Sequence, residues 1–183
     1  MLLLCINQGD TVNINKTKST CNMIQKLSPE YSVLTKFVFN SPPENVWNEL
    51  VFYENIKQKK PLLLRLLLPI PMRNIGDISK VGDETICLYY GGHIRKRITQ
   101  IVKNEIYQFE IKEQELSLKL GIKLLGGHYK LQGLPGSRTE VTAVTNYDSG
   151  MLPRWIWRPV EFFVCHWFHN YLLNSIKEKL QSR

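Results

Sequence analysis

The strongest constraint on this fold is a series of short alternating segments that ends in one long stretch free of helix breakers. Between residues 83 and 147, strand-like segments follow one another, and those from Leu116 to Leu124 and from Thr139 to Tyr147 alternate with a period of two. Turn-forming residues separate the segments, among them Gly91-Gly92, Asn104 and Leu134-Pro135-Gly136-Ser137. A period of two with tight turns predicts consecutive strands of an antiparallel sheet. The stretch from Pro159 to Lys179 predicts a long helix.

The turn residues set the bounds of the predicted strands. These strands cover Asp83 to Tyr90, Ile94 to Val102, Ile106 to Ile111, Leu116 to Leu124, Tyr129 to Gly133 and Thr139 to Tyr147. Gly126-Gly127 stands between the fourth and fifth strands, and we interpret it as the link that joins them.

A further strand and a short helix precede this series. The segment from Tyr31 to Phe39 alternates as a strand does. Ser41-Pro42-Pro43-Glu44 then predicts a helix start, with Ser41 as the cap and Pro42 in the first turn. The buried stripe of this helix is predicted to be Val46, Trp47, Leu50 and Val51. Prolines at positions 61, 69 and 71 predict a loop or broken helical turns over residues 60 to 75.

The C-terminal helix is predicted to begin near Pro159, because proline suits a first helical turn. Glu161 then lies near the positive end of the helix dipole, with Lys177 and Lys179 near the negative end. Apolar side chains cover more than one narrow stripe of this helix, which is typical of an enclosed helix. An apolar sheet face needs a cover, and no other predicted element is long enough.

Together these elements predict an α+β fold. A curved antiparallel sheet of about six to seven strands wraps on a long C-terminal helix, and a short helix follows the first strand. A curved sheet packed on a helix leaves a gap, and we expect function in that gap. The chain has 183 residues, 43% apolar and 22% charged, which suits one globular domain without a disulfide framework or metal.

The N-terminal residues differ in composition from the rest. Asn7 to Asn22 is polar and lacks periodicity, so residues 1–28 are predicted to be a flexible tail and residues 29–183 a single domain. A translation start assigned too early, with Met23 as the true start, is the alternative.

Charge and cysteine content restrict the class of protein. The net charge of +8 favours anionic partners, but no nucleic-acid reading motif is present, so nucleic acid is disfavoured. Leu62 to Leu68, interrupted by Arg65, is too short to span a membrane. The four scattered cysteines have no metal-ligand spacing and indicate reduced thiols in a cytoplasmic protein. No dinucleotide-binding or P-loop motif predicts a cofactor.

Four motifs in order resemble one known superfamily. They are Phe39-Asn-Ser-Pro-Pro-Glu-Asn-Val-Trp47, Val81-Gly82-Asp83, Gly133-Leu-Pro-Gly-Ser-Arg-Thr-Glu-Val141, and Pro153 to Glu161. With them, residues 31 to 180, about four-fifths of the chain, resemble the SRPBCC superfamily of START-related, pollen-allergen-like and polyketide cyclase/dehydrase proteins. The resemblance implies a helix-grip fold and a hydrophobic pocket for a lipid, sterol, polyketide or similar ligand. The superfamily includes both enzymes and carriers, and the resemblance implies no shared catalytic signature.

Strand parity predicts which side chains face this pocket. The helix-facing set is Tyr107, Phe109, Ile111, Leu118, Leu120, Tyr129, Leu131, Val141, Ala143, Thr145 and Tyr147, while Glu110, Lys130, Glu140 and Asn146 face outward. Tyr107, Phe109, Tyr129, Thr145 and Tyr147 are candidate ligand-binding residues. The alternative for their hydroxyl groups is a hydrogen bond to backbone or water.

Lys96 shares the inward parity of Ile94, Ile98 and Val102. An inward lysine can pair with a ligand carboxylate or phosphate, or extend towards the edge of the sheet. Gln100 shares this parity, and Arg95 and Arg97 point away.

The C-terminal helix contributes Phe162, His166 and His169 to the candidate ligand site. The two histidines lie three residues apart and therefore share a face. Either can act as a general base towards a bound ligand, and the alternative is a structural, hydrogen-bonded histidine. A metal site with His128 or Cys165 is disfavoured, because no carboxylate stands at a matching offset and His128 has outward parity.

Two tryptophans and two arginines cluster where the chain enters this helix. Trp155 and Trp157 are predicted to pack the helix on the sheet, with Arg154 and Arg158 solvated. The alternative is a rim that contacts membranes. Cys165 is expected to be buried and unreactive.

These observations favour a non-catalytic protein that binds or carries a hydrophobic or amphipathic small molecule and makes transient contact with anionic membranes. The alternative is a cyclase- or dehydratase-like enzyme that uses His166 or His169 for general acid/base catalysis. A third possibility is a protein-binding module without a ligand. No serine nucleophile motif of the hydrolases is present, and no paired carboxylates stand out.

Overall fold

The computed structural model describes residues 31–51, 71–76, 79–89, 91–116 and 121–182. Its strands are β1 (Tyr31–Phe39), β2 (Pro71–Gly76), β3 (Glu84–Tyr89), β4 (Gly92–Val102), β5 (Ile106–Leu116), β6 (Ile122–Leu134) and β7 (Arg138–Ser149). Its helices are α1 (Pro43–Val51) and α2 (Arg154–Gln181). The strands form one sheet in the order β1-β7-β6-β5-β4-β3-β2, with every neighbouring pair antiparallel. The predicted α+β architecture is confirmed.

The first and last strands lie side by side at one edge of the sheet. β1 pairs with β7 from Tyr31 opposite Tyr147 to Phe39 opposite Thr139. Because α2 follows β7, it returns across the sheet from this edge and packs against β1 and α1. The long helix is therefore held by two elements from the start of the described chain.

The hydrophobic core lies between the sheet, α1 and the C-terminal half of α2. Its buried members are Phe39, Val46, Trp47, Leu50, Val51, Ile98, Tyr107, Leu131, Val141, Ala143, Leu173 and Ile176. The predicted buried stripe of α1 is confirmed. Each fully buried aliphatic side chain contributes about 1.5–3 kcal/mol, so α1 is held mainly by this stripe.

Both predicted helix starts differ from the structure. α1 begins at Pro43, and the Pro42 carbonyl accepts hydrogen bonds from the N–H groups of Asn45 and Val46 at 3.1 and 3.3 Å, so Pro42 and not Ser41 precedes the first helical turn. α2 begins at Arg154 and contains Pro159 in its second turn. Proline lacks the N–H that would bond the carbonyl of residue 155, but the rest of this turn is helical. The early start is fixed by tertiary contacts of Arg154 described below.

β6 runs unbroken through Gly126-Gly127, so the prediction that two strands meet there is wrong. The glycines are required by close neighbours, because a Cβ on Gly127 would lie 2.1 Å from the Val144 carbonyl oxygen. A Cβ on Gly126 would lie 2.4 Å from the Phe109 oxygen. The register with β7 shifts between Leu124 and Gly126, which marks a β-bulge and not a turn.

β2 lies within the segment predicted as a loop or broken turns. It pairs with β3, and Pro71 is its first residue, on the outermost strand of the described sheet. Proline is tolerated at the first residue of an edge strand because its missing N–H breaks no bond of the described ladder.

Some predictions fall on residues that the structure does not describe. The predicted tail (residues 1–28), Cys5, Cys21, the apolar run Leu62 to Leu68, Leu118 and Leu120 lie outside the described residues. Cys87 and Cys165 are free thiols. Neither helix of the described part of the chain has the length and apolar character needed to cross a membrane.

Candidate functional site

A single apolar stripe on α2 is buried at one end and uncovered at the other. Positions spaced three and four residues apart on a helix share one face. This stripe consists of Trp155, Pro159, Phe162, His166, His169, Leu173, Ile176 and Leu180. Leu173 is 0% and His169 3% exposed, whereas Phe162 is 52% and Trp155 78% exposed. The face that packs on the sheet in the C-terminal half of α2 is therefore uncovered in its N-terminal half.

The opposing side of the sheet is also incompletely covered. Phe109, Tyr129 and Thr145 are only partly buried, although Ile98, directly opposite Phe109, is closed off from solvent. The N-terminal half of α2 thus leaves this part of the sheet incompletely covered. We call this opening the cleft and define it by Phe109, Tyr129, Thr145, Phe162 and His166.

Two threonines and two histidines form a hydrogen-bonded chain at the inner end of the cleft. The Thr35 hydroxyl lies 2.8 Å from Nδ1 of His166 and 2.8 Å from Nδ1 of His169. Nε2 of His169 lies 2.8 Å from the Thr145 hydroxyl and 3.8 Å from Sγ of Cys165. The chain therefore links β1 and β7 through α2.

The proton positions along this chain are coupled. Thr35 has one hydroxyl proton and no other partner among the described residues, so it donates to one histidine and accepts from the other. If His169 donates from Nδ1, its Nε2 accepts from Thr145 and Thr35 donates to His166. Nε2 of His166 then carries a proton. In the reverse sense, Nε2 of His166 is an acceptor.

His169 is a neutral structural residue at pH 7. Burial and, to a smaller extent, the nearby His166 lower its pKa to about 4. Both ring nitrogens are engaged by threonine hydroxyls, so the ring has no atom left for a ligand. The hydrogen-bonded alternative for this histidine is the one that the structure shows.

His166 differs because its second nitrogen is open. Nδ1 is held by Thr35, while Nε2 has no hydrogen-bond partner among the described residues and is not sealed from solvent. The Phe162 ring stacks on the imidazole at 5.9 Å between centroids, with planes 6° apart. His166 is therefore a fixed imidazole that presents one nitrogen to the cleft.

Three aromatic rings line the sheet side of the cleft. The ring centroids of Tyr107 and Phe109 are 5.8 Å apart, and those of Phe109 and Tyr129 are 6.3 Å apart. Neither tyrosine hydroxyl has a hydrogen-bond partner among the described residues; Tyr107 is buried and Tyr129 is partly buried. Burial raises the pKa of both tyrosines well above the usual value, so both are neutral donors.

Lys96 lies on the same side of the sheet as these rings. Its ammonium nitrogen is 4.9 Å from the centroid of the Phe109 ring. A cation over an aromatic face is attracted by the ring quadrupole, and the contact directs Lys96 towards the rings and not along the edge of the sheet. Lys96 adds the charged group of the candidate site.

Tyr147 is placed inward but is occupied by another contact. Its hydroxyl donates to Glu161 at 3.2 Å, and the Ser149 hydroxyl donates to the same carboxylate at 2.6 Å. Arg154 donates to both carboxylate oxygens of Glu161, at 2.9 and 3.0 Å. The guanidinium also lies 4.5 Å from the centroid of the Tyr31 ring. These contacts hold the first turns of α2 on β1 and β7, so we remove Tyr147 from the ligand site.

The same contacts correct three sequence-based predictions. Arg154 is ion-paired and only partly exposed, and Glu161 is buried in the third turn of α2 and not in its first turn. Burial alone would raise the pKa of Glu161, but hydrogen bonds from Arg154, Ser149 and Tyr147 outweigh it and hold the pKa below its usual value. Trp155 does not pack on the sheet, and the Trp157 indole N–H donates to the Leu152 carbonyl at 3.1 Å.

Cys165 and His128 do not form a metal cluster with the two helix histidines in the described structure. Burial raises the pKa of the Cys165 thiol to about 11, which leaves it protonated and a poor nucleophile. His128 lies opposite Val144 and follows a glycine whose partner Thr145 faces the cleft, so its side chain points to the outer face.

One group of possible metal ligands lies on the outer face of the sheet. His93, Glu113 and Glu115 offer ligand atoms within 4.8 Å of one another. Nε of Arg95 already lies 3.0 Å from the Glu113 carboxylate, so this group is an exposed ion-pair network. The cleft lies on the opposite face.

Sequence reasoning did not identify Thr35 or Glu161 as members of these networks. Thr35 has the inward parity of β1, and a polar residue at a buried position of a strand was the available signal. The Glu161 contacts join the end of β7 to the first turns of α2 within 14 residues of sequence, and no periodic pattern reveals them.

The fold is shared with solved structures of low sequence identity. The Zhui aromatase/cyclase from Streptomyces sp. R1128 is 12% identical, covers 84% of this chain and 94% of its own, and has a TM-score of 0.59. Ara h 8.0201 is 12% identical over 84% of this chain and 99% of its own, with a TM-score of 0.57. The Aha1 protein from Colwellia psychrerythraea, solved as a dimer, is 13% identical over 81% and 94%, with a TM-score of 0.51.

These similarities concern the fold. No family model matches the sequence, and no curated protein matches it significantly. The structural neighbours are proteins of the SRPBCC fold, and this chain has the helix-grip fold that they share.

Proposed function

We propose that this protein binds a hydrophobic or amphipathic small molecule in the cleft between the sheet and the N-terminal half of α2. The observation that carries this proposal is the stripe of α2 that is closed at Leu173 and uncovered at Phe162 and Trp155. An exposed apolar face opposite partly exposed aromatic rings is the usual form of a ligand-binding cleft. The fold shared with an aromatase/cyclase supports the same class of ligand.

The polar groups of the cleft are few and are suited to orienting such a ligand. Two unpaired tyrosine hydroxyls, Nε2 of His166 and the ammonium of Lys96 are the groups available. Apolar burial provides the binding free energy, at about 25 cal/mol per Å². A small number of fixed polar groups provides the orientation.

Two neighbouring phenylalanines allow a matched test. Phe162 lies on the cleft stripe and Phe163 points elsewhere, and both are more than half exposed. We expect Phe162→Ser to weaken binding of the neutral fluorophore N-phenylnaphthylamine at least about fivefold. Phe163→Ser should change it by less than about twofold, because surface substitutions away from a site have small effects. Fluorescence titration measures both affinities.

Native mass spectrometry of the purified full chain, followed by organic extraction, tests the same proposal without an added probe. A stoichiometric adduct that dissociates as a small apolar molecule supports the carrier. If the wild-type protein shows no adduct and does not bind the fluorophore, the proposed function is wrong.

A second candidate function rests on His166. A fixed imidazole with one open nitrogen beside a cleft can act as a general base. Its Nε2 would take the proton α to a carbonyl, and the return of a proton to a departing β-hydroxyl would release water. This is the dehydratase-like alternative.

A β-hydroxy aryl ketone tests this alternative, because its dehydration gives a conjugated product with a new ultraviolet absorption. We expect His166→Gln to lower kcat at least about 100-fold while the affinity for the fluorophore is unchanged. If the wild-type protein gives no turnover above that in buffer, the dehydratase hypothesis is wrong and the proposal of a binding protein remains.

A further inference from the structure

Lys96 is a charged residue that lies between two of the most deeply buried residues of β4. Ile94 and Ile98 lie two residues to either side, on the same side of the strand, and are 4% and 1% exposed. Lys96 itself is partly buried. Removing part of the hydration shell of an ammonium group costs free energy unless an anion or several hydrogen bonds replace it.

No protein anion replaces that hydration in the described part of the chain. Lys96 forms no ion pair there, and its contact is with the Phe109 ring. The outward-facing Arg95 shows the contrast, because it lies 3.0 Å from Glu113 and 3.9 Å from Glu84. On this strand the outward cation is neutralised by protein carboxylates, and the inward cation is not.

The surroundings of Lys96 define the rest of a ligand. Phe109 lies next to Tyr107 and Tyr129, so the cation borders an apolar aromatic surface. The two tyrosine hydroxyls are unpaired donors on that surface. An apolar body with an acidic group at one end complements this arrangement.

We propose that the ligand of the cleft is an anionic amphipath whose carboxylate or phosphate pairs with Lys96 while its apolar body lies on the aromatic rings. This inference rests on the proposed binding function and names the chemical class of its ligand. A charge-assisted hydrogen bond in a partly desolvated site is shorter and stronger than one in water, which gives the acid its advantage over a neutral analogue.

The test compares three molecules with the same chain: decanoate, decyl phosphate and decanol. Each is titrated against the full-length protein with bound N-phenylnaphthylamine, and displacement gives its affinity. We expect the wild-type protein to prefer one or both anions over decanol by roughly 10- to 100-fold, the range of a hydrogen bond to a charged group. The two anions separate a carboxylate ligand from a phosphate ligand.

Lys96→Met retains the aliphatic length and removes the charge. We expect it to abolish the preference for the anion and leave the affinity for decanol within about twofold. Arg97→Met is the matched control, because Arg97 is exposed on the opposite side of the same strand, and it should keep the preference.

The outcomes separate this inference from the function on which it rests. If the wild-type protein binds the fluorophore but has the same affinity for decanol as for the two anions, the inference of an anionic ligand is wrong and the proposed binding function stands. The same conclusion follows if Lys96→Met and Arg97→Met lower the preference equally, since bulk charge then explains it. If none of the four molecules binds, the proposed function fails as well.

Discussion

The single hydroxyl of Thr35 holds two imidazole rings of α2, those of His166 and His169. Thr35 is 1% exposed and has no alternative partner in the described structure, so both histidines depend on it. A buried ring nitrogen left without its partner costs about 1–3 kcal/mol. The orientation of His166 towards the cleft is therefore set by a residue of β1.

The first prediction concerns this hydroxyl. Thr35→Val keeps the shape and removes the hydrogen bonds, and we expect it to lower the free energy of unfolding by about 1–3 kcal/mol. Thr142→Val on the outward face of β7 is the control and should change it by less than about 0.5 kcal/mol. Urea unfolding followed by tryptophan fluorescence measures both values. Equal effects of the two substitutions would contradict the hydrogen-bonded role of Thr35.

The second prediction concerns the acid stability of the fold. Burial lowers the pKa of His169 from 6.5 to about 4, so the unfolded chain binds more protons between these values. The stability that the neutral imidazole provides is complete above pH 6.5 and is lost as the pH falls towards 4. The loss amounts to about 3 kcal/mol.

His169→Gln removes this titration. We expect the free energy of unfolding of the variant to change less between pH 7 and pH 5 than that of the wild-type protein, whatever its absolute value. The depressed pKa of Glu161 gives a further loss of stability at lower pH in both proteins. Urea unfolding at several pH values tests this, and parallel curves from pH 7 to pH 5 would show that His169 is not the group responsible.

Among the elements, β6 shows why the meaning of glycine in a sequence depends on distant residues. Gly126-Gly127 has the local character of a turn, but its place in the middle of a strand is fixed by the backbones of β5 and β7 on either side. The alternation on either side of the glycines correctly predicts β-structure. It does not show that the two halves form one strand, because the close contacts that require glycine involve residues about 17 positions away on each side.

The third prediction tests this packing. Gly127→Ala places a Cβ 2.1 Å from the Val144 carbonyl oxygen, and the sheet must shift to accept it. We expect the free energy of unfolding to fall by roughly 3 kcal/mol, the upper end of the range for overpacked sites. Gly150→Ala is the control, since no atom lies within 4 Å of its new Cβ. Thermal unfolding of both variants by circular dichroism measures the difference, and similar melting temperatures would refute the explanation.

In α2, too, the sequence pattern predicts the element, whereas tertiary contacts set where it begins. Its length and apolar character predicted a helix that covers the sheet, and the C-terminal half does so. Its first turns are held by polar contacts among Arg154, Glu161 and Ser149 and by the contact of Arg154 with the Tyr31 ring of β1. Patterns with a period of two or of 3.6 residues therefore predicted the layers, and polar contacts between β7 and α2, which have no period, determined where the helix begins.

At the scale of the whole molecule, the cleft follows from the placement of one helix on one sheet, since α2 packs against β1 at one edge of the sheet. Strand parity predicted that Lys96, Tyr107, Phe109, Tyr129 and Thr145 lie on the helix-facing side, and the structure places them there. Parity could not distinguish Tyr147, whose hydroxyl is bound by Glu161, from the two unpaired tyrosines. That distinction requires the position of α2, which no local period encodes.

The last prediction joins the charge of the whole chain to the uncovered end of α2. The net charge is +8, and Leu152, Trp155 and Phe163 expose apolar surface around the N-terminal end of α2, Trp155 on the cleft stripe and Phe163 beside it. A cationic protein with exposed aromatic side chains is expected to bind anionic bilayers. We expect co-sedimentation with vesicles to increase with the fraction of phosphatidylserine. Salt should abolish it, because the Debye length falls from about 10 Å at 0.1 M to about 3 Å at 1 M.

The paired substitution Trp155→Ser with Phe163→Ser should reduce the sedimented fraction to less than about half, because interfacial aromatic side chains are lost. Leu34→Ser with Val38→Ser is the matched control, since both residues are about half exposed on the outer side of β1, the face of the sheet opposite α2. If the two pairs reduce binding equally, membrane contact is not made through α2. If neutral vesicles bind as well as anionic ones at low salt, the charge of the chain has no part in it. Only a loss that is specific to the α2 pair and to anionic lipid places the opening of the cleft at the membrane, where an amphipathic ligand could enter without crossing water.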